Sequence, residues 1–160
     1  MAPEEFVALL KPYAKSIQNR TGIHWAVIIA QAALETGWLR SLIVDLYTGR
    51  PSYNLFNIKG KGPAGSVQAF DTEYVKGRAR RIIDEFRAYH NYEESLEDYV
   101  SLLTESNRYK PALAVGGDPE AFARKLQELG YAQDPRYAEK LIMIMRKYMK
   151  EESNEIEMMR

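Results

Sequence analysis

Hydrophobic and polar positions along the chain predict a mostly helical domain. Apolar residues recur at helical spacing over residues 4–19, which predicts an amphipathic helix. The segment 23–36 begins IHWAVIIAQAAL and is apolar nearly all round, as is typical of a helix at the centre of a domain. Three further helices are predicted over residues 95–106, 118–129 and 134–150, and the last two open with Asp-Pro, an N-cap followed by proline.

The middle of the chain breaks this helical pattern. Residues 47–66 are rich in glycine and proline and predict a loop, with a short strand around Phe56. The following VQAFDTEYVKGRARRIIDEF has two β-favourable runs around Lys76-Gly77, which predicts a β-hairpin, although RARRIIDEF is also compatible with a helix. We therefore predict one α+β domain over residues 1–160, with a frayed end from about residue 151.

Charge and composition exclude several classes of function. The 22 basic and 22 acidic residues cancel, so no overall field favours nucleic acid or an anionic membrane as partner. The absence of cysteine removes disulfides, thiol catalysis and thiolate zinc sites. His24 and His90 have no partner at metal-ligand spacing, so we expect no metal site. No export signal is visible and no apolar run is long enough to span a bilayer, which predicts a soluble protein without membrane insertion.

One carboxylate interrupts the apolar central helix. Glu35 shares a helix face with Ile28, Gln31 and Ala32. Burial there disfavours the charged form and predicts a raised pKa, which suits a general acid. The alternative is that Glu35 lies in a solvated last turn or pairs with Arg40.

A glycosidase commonly uses a second carboxylate across the scissile bond. The candidates are Asp45, Asp71, Glu73, Asp84 and Glu85. Glu73 belongs to the predicted hairpin and would project from one defined face of a strand. An ordinary solvated strand acid is the alternative. Tyrosine is abundant, with 11 in the chain, and sugars are often bound by an aromatic face with a hydroxyl, yet most of these tyrosines fall at helical spacings and predict packing.

Four motifs in order resemble the glycoside hydrolase family 73 domain, the N-acetylglucosaminidase domain of bacterial autolysins, phage lysins and flagellar peptidoglycan hydrolases. They are QAALETGWLRS, NLFNIKG, TEYVKG followed by FRAY, and GYAQDPRYAEKL. The resemblance implies a lysozyme-like α+β fold with a small hairpin lobe beside a groove. It also implies an endo-β-N-acetylglucosaminidase that hydrolyses the β-1,4 bond between N-acetylglucosamine and N-acetylmuramic acid in peptidoglycan.

The resemblance also implies roles for individual residues. Glu35 matches the catalytic acid, Glu73 the hairpin carboxylate, and Tyr131 a tyrosine of the active-site groove. The expected substrate-binding residues are Asn54, Phe56, Asn57 and Tyr74. No cofactor is implied, the partner is the peptidoglycan glycan strand, and the expected place of action is the cell wall or periplasm, as a monomer.

Two departures from the family pattern and three alternative functions stay open. Asn57 stands where many members have glycine, either altering a sugar contact or tolerating the same backbone. Leu39 replaces a frequent glycine and should affect local packing more than chemistry. A muramidase, a lytic transglycosylase or a non-catalytic glycan-binding module on the same fold are the alternatives.

Overall fold

A computed structural model describes residues 1–150, so the predicted frayed end lies outside the described residues. Six helices and a two-stranded sheet make up this range. They are α1 (Pro3–Thr21), α2 (Trp25–Thr36), β1 (Ser66–Val75), β2 (Arg78–Arg87), α3 (Tyr92–Glu105), α4 (Lys110–Leu113), α5 (Pro119–Glu128) and α6 (Tyr137–Tyr148), with a 3₁₀ turn at Asn107–Tyr109. The α+β class and the small hairpin lobe predicted from the sequence are confirmed.

Helix α2 lies at the centre of the core, as its apolar sequence predicts. It packs against α1, α5 and α6, and Ala26 to Ala33 are all buried. The side chain of His24 caps its first turn by accepting a hydrogen bond from the backbone N–H of Ala26 at 3.1 Å. A helix surrounded on all sides by other helices has no solvated face, which explains why its sequence is not amphipathic.

The backbone after α2 turns through three consecutive left-handed residues. Gly37, Trp38 and Leu39 have φ of 56°, 60° and 71°. This conformation costs a residue with a side chain roughly 1–2 kcal/mol relative to glycine. The ring of Trp38 packs edge-on against Phe6 and Tyr148, which holds the turn in place. The substitution of Leu39 for a frequent glycine therefore bears on the backbone conformation as well as on packing.

The hairpin forms as predicted around Lys76 and Gly77. Their φ values of 52° and 77° are those of a tight two-residue turn, and the strands pair antiparallel with Glu73 opposite Arg80. The helical alternative for RARRIIDEF is wrong, since these residues form β2. The end of the hairpin away from the turn joins the rest of the domain through a small buried cluster of Val67, Phe86 and Ala88.

Several boundaries differ from the sequence predictions. No strand forms around Phe56, because the chain turns at Tyr53 and Asn57, which both have positive φ. Helix α6 begins at Tyr137, since Asp134 accepts from the backbone N–H of Arg136 in a turn before the helix. Helix α3 starts three residues earlier than predicted, with Asn91 as N-cap, and the short helical segments over 107–113 were not predicted. Within residues 1–150, no helix combines the length and apolar character needed to cross a membrane.

Candidate active site

Glu35 lies in the last turn of α2, one residue before the helix ends at Thr36. Its side chain is partly buried although the preceding residues belong to the core. The predicted position at the end of an apolar helix is therefore what the structure has. A salt bridge to Arg40, the alternative considered from the sequence, is not among the ion pairs of the described residues, and Arg40 is exposed.

Asn57 is the polar partner of Glu35. Its Nδ2 donates to the Glu35 carboxylate Oε2 at 3.2 Å and to the Glu35 backbone carbonyl at 3.2 Å. Burial raises the pKa of Glu35 above its ordinary value, and the Asn57 amide opposes part of that rise. Because burial is the larger influence, the carboxyl group holds its proton more readily than an exposed glutamic acid and can act as a proton donor.

The loop before Asn57 forms one wall of this site. Asn54 is fully buried, and its Nδ2 donates to the carbonyls of Ile58 and Arg87 while its Oδ1 accepts from the N–H groups of Phe56 and Ile58. The side chain of Asn54 thus shapes the loop and is occupied by the backbone. Asn57 has φ of 55°, so it adopts the left-handed conformation that glycine favours, as one of the two sequence interpretations requires.

Aromatic rings line the region beside Glu35. Phe56 stacks on Tyr99 with ring centroids 4.0 Å apart, and Tyr131 meets the edge of Tyr99 and lies beside Tyr137. Burial raises the pKa of Tyr131 well above its usual value, and the nearby Tyr137 and Glu35 add to the rise. Tyr131 is therefore a neutral hydroxyl within the electrostatic reach of Glu35, and its role in the groove stays a prediction.

A buried hydrogen-bond network lies under these rings. The hydroxyl of Tyr99 donates to Gln31 Oε1, and Gln31 Nε2 donates to the hydroxyl of Tyr137 at 3.0 Å. Gln31 precedes Glu35 by one helical turn, so the network supports the same face of α2. The sequence placed Gln31 on this face without indicating a function, and the helical spacing of most tyrosines predicted packing alone. The signal was a single amide in an otherwise apolar helix, since a buried amide requires partners.

The other acids proposed from the sequence divide into two groups. Asp45 accepts from the backbone N–H of Gln68, which with other N–H donors lowers its pKa to about 2. Asp71 and Asp84 both bind Lys59 Nζ, at 2.8 and 2.9 Å, and this hydrogen bond holds the pKa of each below its usual range. These three are ionised structural carboxylates, which leaves Glu73 and Glu85.

The register of the hairpin separates these two remaining acids. Residues opposite each other in the ladder share a face, so Glu73 lies on the face of Asp71 and Asp84, to which Lys59 reaches from the body. Glu85 lies on the opposite face, across from Gln68. The register therefore places Glu73, and not Glu85, on the hairpin face that Lys59 reaches.

The structure brings only part of the expected site into direct contact. Glu35 and Asn57 are hydrogen bonded, whereas Glu73 pairs with Arg80 across the hairpin, and within residues 1–150 no hydrogen bond or ion pair joins Glu73 to Glu35. Tyr74 is 73% exposed near the hairpin turn. The described residues hold no group of three or more side chains suited to binding a metal ion.

A helical body with a hairpin lobe, and a partly buried glutamic acid at the end of the central helix, define a lysozyme-like glycoside hydrolase domain. Residues 11–150 match the family model named Glucosaminidase, described as mannosyl-glycoprotein endo-beta-N-acetylglucosaminidase, and the chain belongs to this family.

Relatives of known structure and curated relatives agree with this assignment. The glycoside hydrolase domain of Salmonella typhimurium FlgJ superposes with a TM-score of 0.75 at 39% identity, covering 91% of this chain and 97% of that chain. Pseudomonas aeruginosa peptidoglycan hydrolase FlgJ is 43% identical over 89% of this chain and 36% of its own length. Bacillus subtilis exo-glucosaminidase LytG is 33% identical over 94% of this chain and 53% of its own. The chain thus spans about a third to a half of the length of these curated relatives.

Proposed function

We propose that this chain is an endo-β-N-acetylglucosaminidase that hydrolyses the β-1,4 bond between N-acetylglucosamine and N-acetylmuramic acid in peptidoglycan. Membership of the glucosaminidase family and the name of the FlgJ relatives, peptidoglycan hydrolase, support this substrate. The observation that carries the proposal is the partly buried Glu35 carboxyl, whose pKa burial raises. The protein acts as a monomer at the cell wall or in the periplasm, where its substrate lies.

Glu35 is the general acid in this proposal. It protonates the glycosidic oxygen as the bond to the sugar breaks and an oxocarbenium-like centre develops. Asn57 holds the carboxyl in one orientation through Oε2 and limits how far its pKa rises. The acid is therefore fixed in direction while it keeps a transferable proton.

Glu73 serves the opposite face of the sugar, either by activating water or by stabilising the developing positive charge. In the free protein its charge is balanced by Arg80. The substrate's acetamido group is the alternative nucleophile at this face. Replacing Glu73 by Gln decides between them, since a loss as large as that of Glu35→Gln supports Glu73 and a much smaller loss supports the acetamido route.

The remaining predicted residues form the groove wall. Tyr131 offers a hydroxyl beside Glu35, and Phe56 and Asn54 support the loop that positions Asn57. Tyr74 is an exposed aromatic residue near the hairpin turn, on the face opposite to Glu73, so it would offer its ring to a part of the strand that passes the hairpin tip and not to the sugar at Glu73. The groove is thus built from the end of α2, the loop and the hairpin.

The test of the proposed acid is the variant Glu35→Gln, which keeps size and removes the proton donor. Wild-type protein should reduce the turbidity of a peptidoglycan suspension, and Glu35→Gln should abolish this with circular dichroism unchanged. Glu85→Gln, on the other hairpin face, is the matched control and should retain activity. Activity in Glu35→Gln would refute the assignment, and an inactive wild type would favour a non-catalytic glycan-binding module.

The products decide which bond is cut. Mass spectrometry of the soluble digest should show reducing N-acetylglucosamine ends. Reducing muramic acid ends would instead identify a muramidase, and anhydro-muramic ends a lytic transglycosylase.

An exo mode of cleavage is a second candidate, because one relative with 33% identity is named exo-glucosaminidase. Endo cleavage releases fragments of many lengths early in the digest, whereas exo cleavage releases terminal units only. Sizing the products of long strands at low conversion distinguishes the two.

A further inference from the structure

The tip of the hairpin carries a concentrated positive charge. Residues 74–83 read YVKGRARRII and contain Lys76, Arg78, Arg80 and Arg81 with no acidic residue. All four of these cationic residues, here called the basic tip, are exposed. Because the whole chain has no net charge, the basic tip is a local feature and calls for a local explanation.

The ladder places part of the basic tip on the face that bears Glu73. Arg80 is opposite Glu73 and Arg78 is opposite Val75, so both arginines share that face. Residues two apart along a strand are separated by roughly 7 Å, which places Arg78 one step beyond the Glu73–Arg80 pair. Together with Val75, Lys76 and Ala79, these arginines line a shallow concave surface.

Only part of the positive charge of the basic tip is engaged in contacts within the hairpin. Arg80 pairs with Glu73, and Arg81 lies over the ring of Phe70 on the opposite face. In the part of the chain that the structure describes, neither Lys76 nor Arg78 forms an ion pair. Two cations at the hairpin tip are therefore available to an anionic ligand: Arg78 on the Glu73 face and Lys76 in the adjoining turn.

We propose that Lys76 and Arg78 form a binding site for the carboxylates of the stem peptides carried by the glycan strand. This inference rests on the proposed function, which places the strand along the Glu73 face. The sugars themselves are bound through hydroxyls and amides and require no cation, whereas the peptides on muramic acid end in carboxylates. Charge complementarity thus makes a peptide-bearing strand, and not a bare one, the preferred ligand.

The experiment measures binding and hydrolysis separately. Glu35→Gln protein provides the background for binding, so that strands stay intact. Two ligands are compared: soluble strands with stem peptides, and the same strands after an amidase has removed the peptides and the lactyl carboxylates exposed by that hydrolysis have been converted to neutral methylamides. Phosphate polymers are extracted beforehand, which leaves carboxylates as the anionic groups. The tip variant is Lys76→Asn with Arg78→Gln, because asparagine tolerates the positive φ of residue 76. The control is Lys110→Gln with Lys150→Gln, two exposed lysines elsewhere.

The tip variant should bind peptide-bearing strands about fivefold more weakly, because it loses two exposed ion pairs, each of modest strength. It should bind stripped strands as the parent does, and the control should match the parent on both. In the active background, KM should rise on peptide-bearing strands with kcat unchanged. Equal binding of peptide-bearing strands by tip variant and parent, or an equal loss on both ligands, would overturn the proposal. An active-background protein that binds both strands yet cuts neither would refute the enzyme while the binding comparison still decides the basic tip.

Discussion

The contact between Asn57 and Glu35 makes a sharp prediction about the pH dependence of activity. Asn57→Gly removes the amide that donates to Oε2 of Glu35. It leaves the backbone undisturbed, since residue 57 has φ of 55°, which glycine adopts freely. The amide favours the charged carboxylate, so its loss should raise the pKa of Glu35 further above its ordinary value.

The size of the effect follows from the geometry. Hydrogen bonds to charged groups contribute about 1.5–3 kcal/mol when well formed. The separation of 3.2 Å is at the long end of the usual range, and Glu35 is only partly buried, so we expect a contribution below that interval, of about 1 kcal/mol. A loss of about 1 kcal/mol corresponds to about a fivefold change in the protonation equilibrium of the carboxyl group.

The assay is the pH profile of kcat/KM on soluble glycan strands. A general acid must be protonated, so activity falls as pH rises through its pKa, and this alkaline limb should move to higher pH in Asn57→Gly. Asn57→Ala is the matched control, because it loses the same amide but also places a side chain at positive φ, which costs roughly 1–2 kcal/mol of stability. Both variants should share the shifted limb, and only Asn57→Ala should unfold at lower temperature. An unshifted limb in both would refute the role of Asn57.

Three further predictions concern stability. Glu35→Gln should be more stable than wild type at neutral pH, because a carboxyl group whose pKa is raised in the folded state destabilises the fold once it is ionised. The gain in thermal midpoint should vanish when the pH falls below the ordinary pKa of 4.5, where the carboxyl group is protonated in both states. A gain that stays constant with pH would contradict this prediction. Gly62→Ala should lower the free energy of unfolding by about 1–3 kcal/mol, since a Cβ at residue 62 would lie 2.5 Å from the carbonyl oxygen of Ala88. Gly117→Ala is the control: the nearest atom to a Cβ there is 4.0 Å away, so denaturant unfolding should give nearly the wild-type free energy. Lys59→Met should lower the free energy of unfolding by about 1 kcal/mol or less, because the ion pairs of Lys59 are half exposed. The stability of the variant should also depend less on salt concentration. An unchanged salt dependence would show that these ion pairs do not contribute to stability.

The local sequence pattern was sufficient to predict the helix that carries Glu35 and the hairpin that carries Glu73. An apolar run of helical length placed α2 in the core, and the turn residues Lys76 and Gly77 placed the hairpin. The raised pKa of Glu35 followed from the same reasoning, since burial of the helix is what disfavours its charge.

Contacts between residues far apart in the sequence could not be predicted from the local pattern of hydrophobic and polar positions. Gln31 meets Tyr99 and Tyr137, which lie 68 and 106 residues further along, and no local periodicity encodes such a pairing. The backbone path of the loop that carries Asn57 could not be predicted either. It depends on the buried amide of Asn54 bonding four backbone groups, including the carbonyl of Arg87, which lies 33 residues away. The family resemblance implied that Asn54 contacts substrate, but the sequence alone could not show that its side chain is occupied by these backbone groups.

The loop that carries Asn57 also determines how the hairpin is held relative to Glu35. Asn57 bonds the end of α2, and two residues later Lys59 bonds Asp71 and Asp84 on the Glu73 face of the hairpin. The bond to Glu35 is partly buried, whereas the Lys59 side chain is 56% exposed and its ion pairs are correspondingly weak. The hairpin is also anchored at its inner end, where the backbone N–H groups of Gly60 and Arg87 donate to the carbonyls of Glu85 and Ile58 and where Val67, Phe86 and Ala88 form a buried cluster. An approach of Glu73 to a bound strand would therefore require the two strands to bend beyond this anchor, while the inner end stays attached to the body.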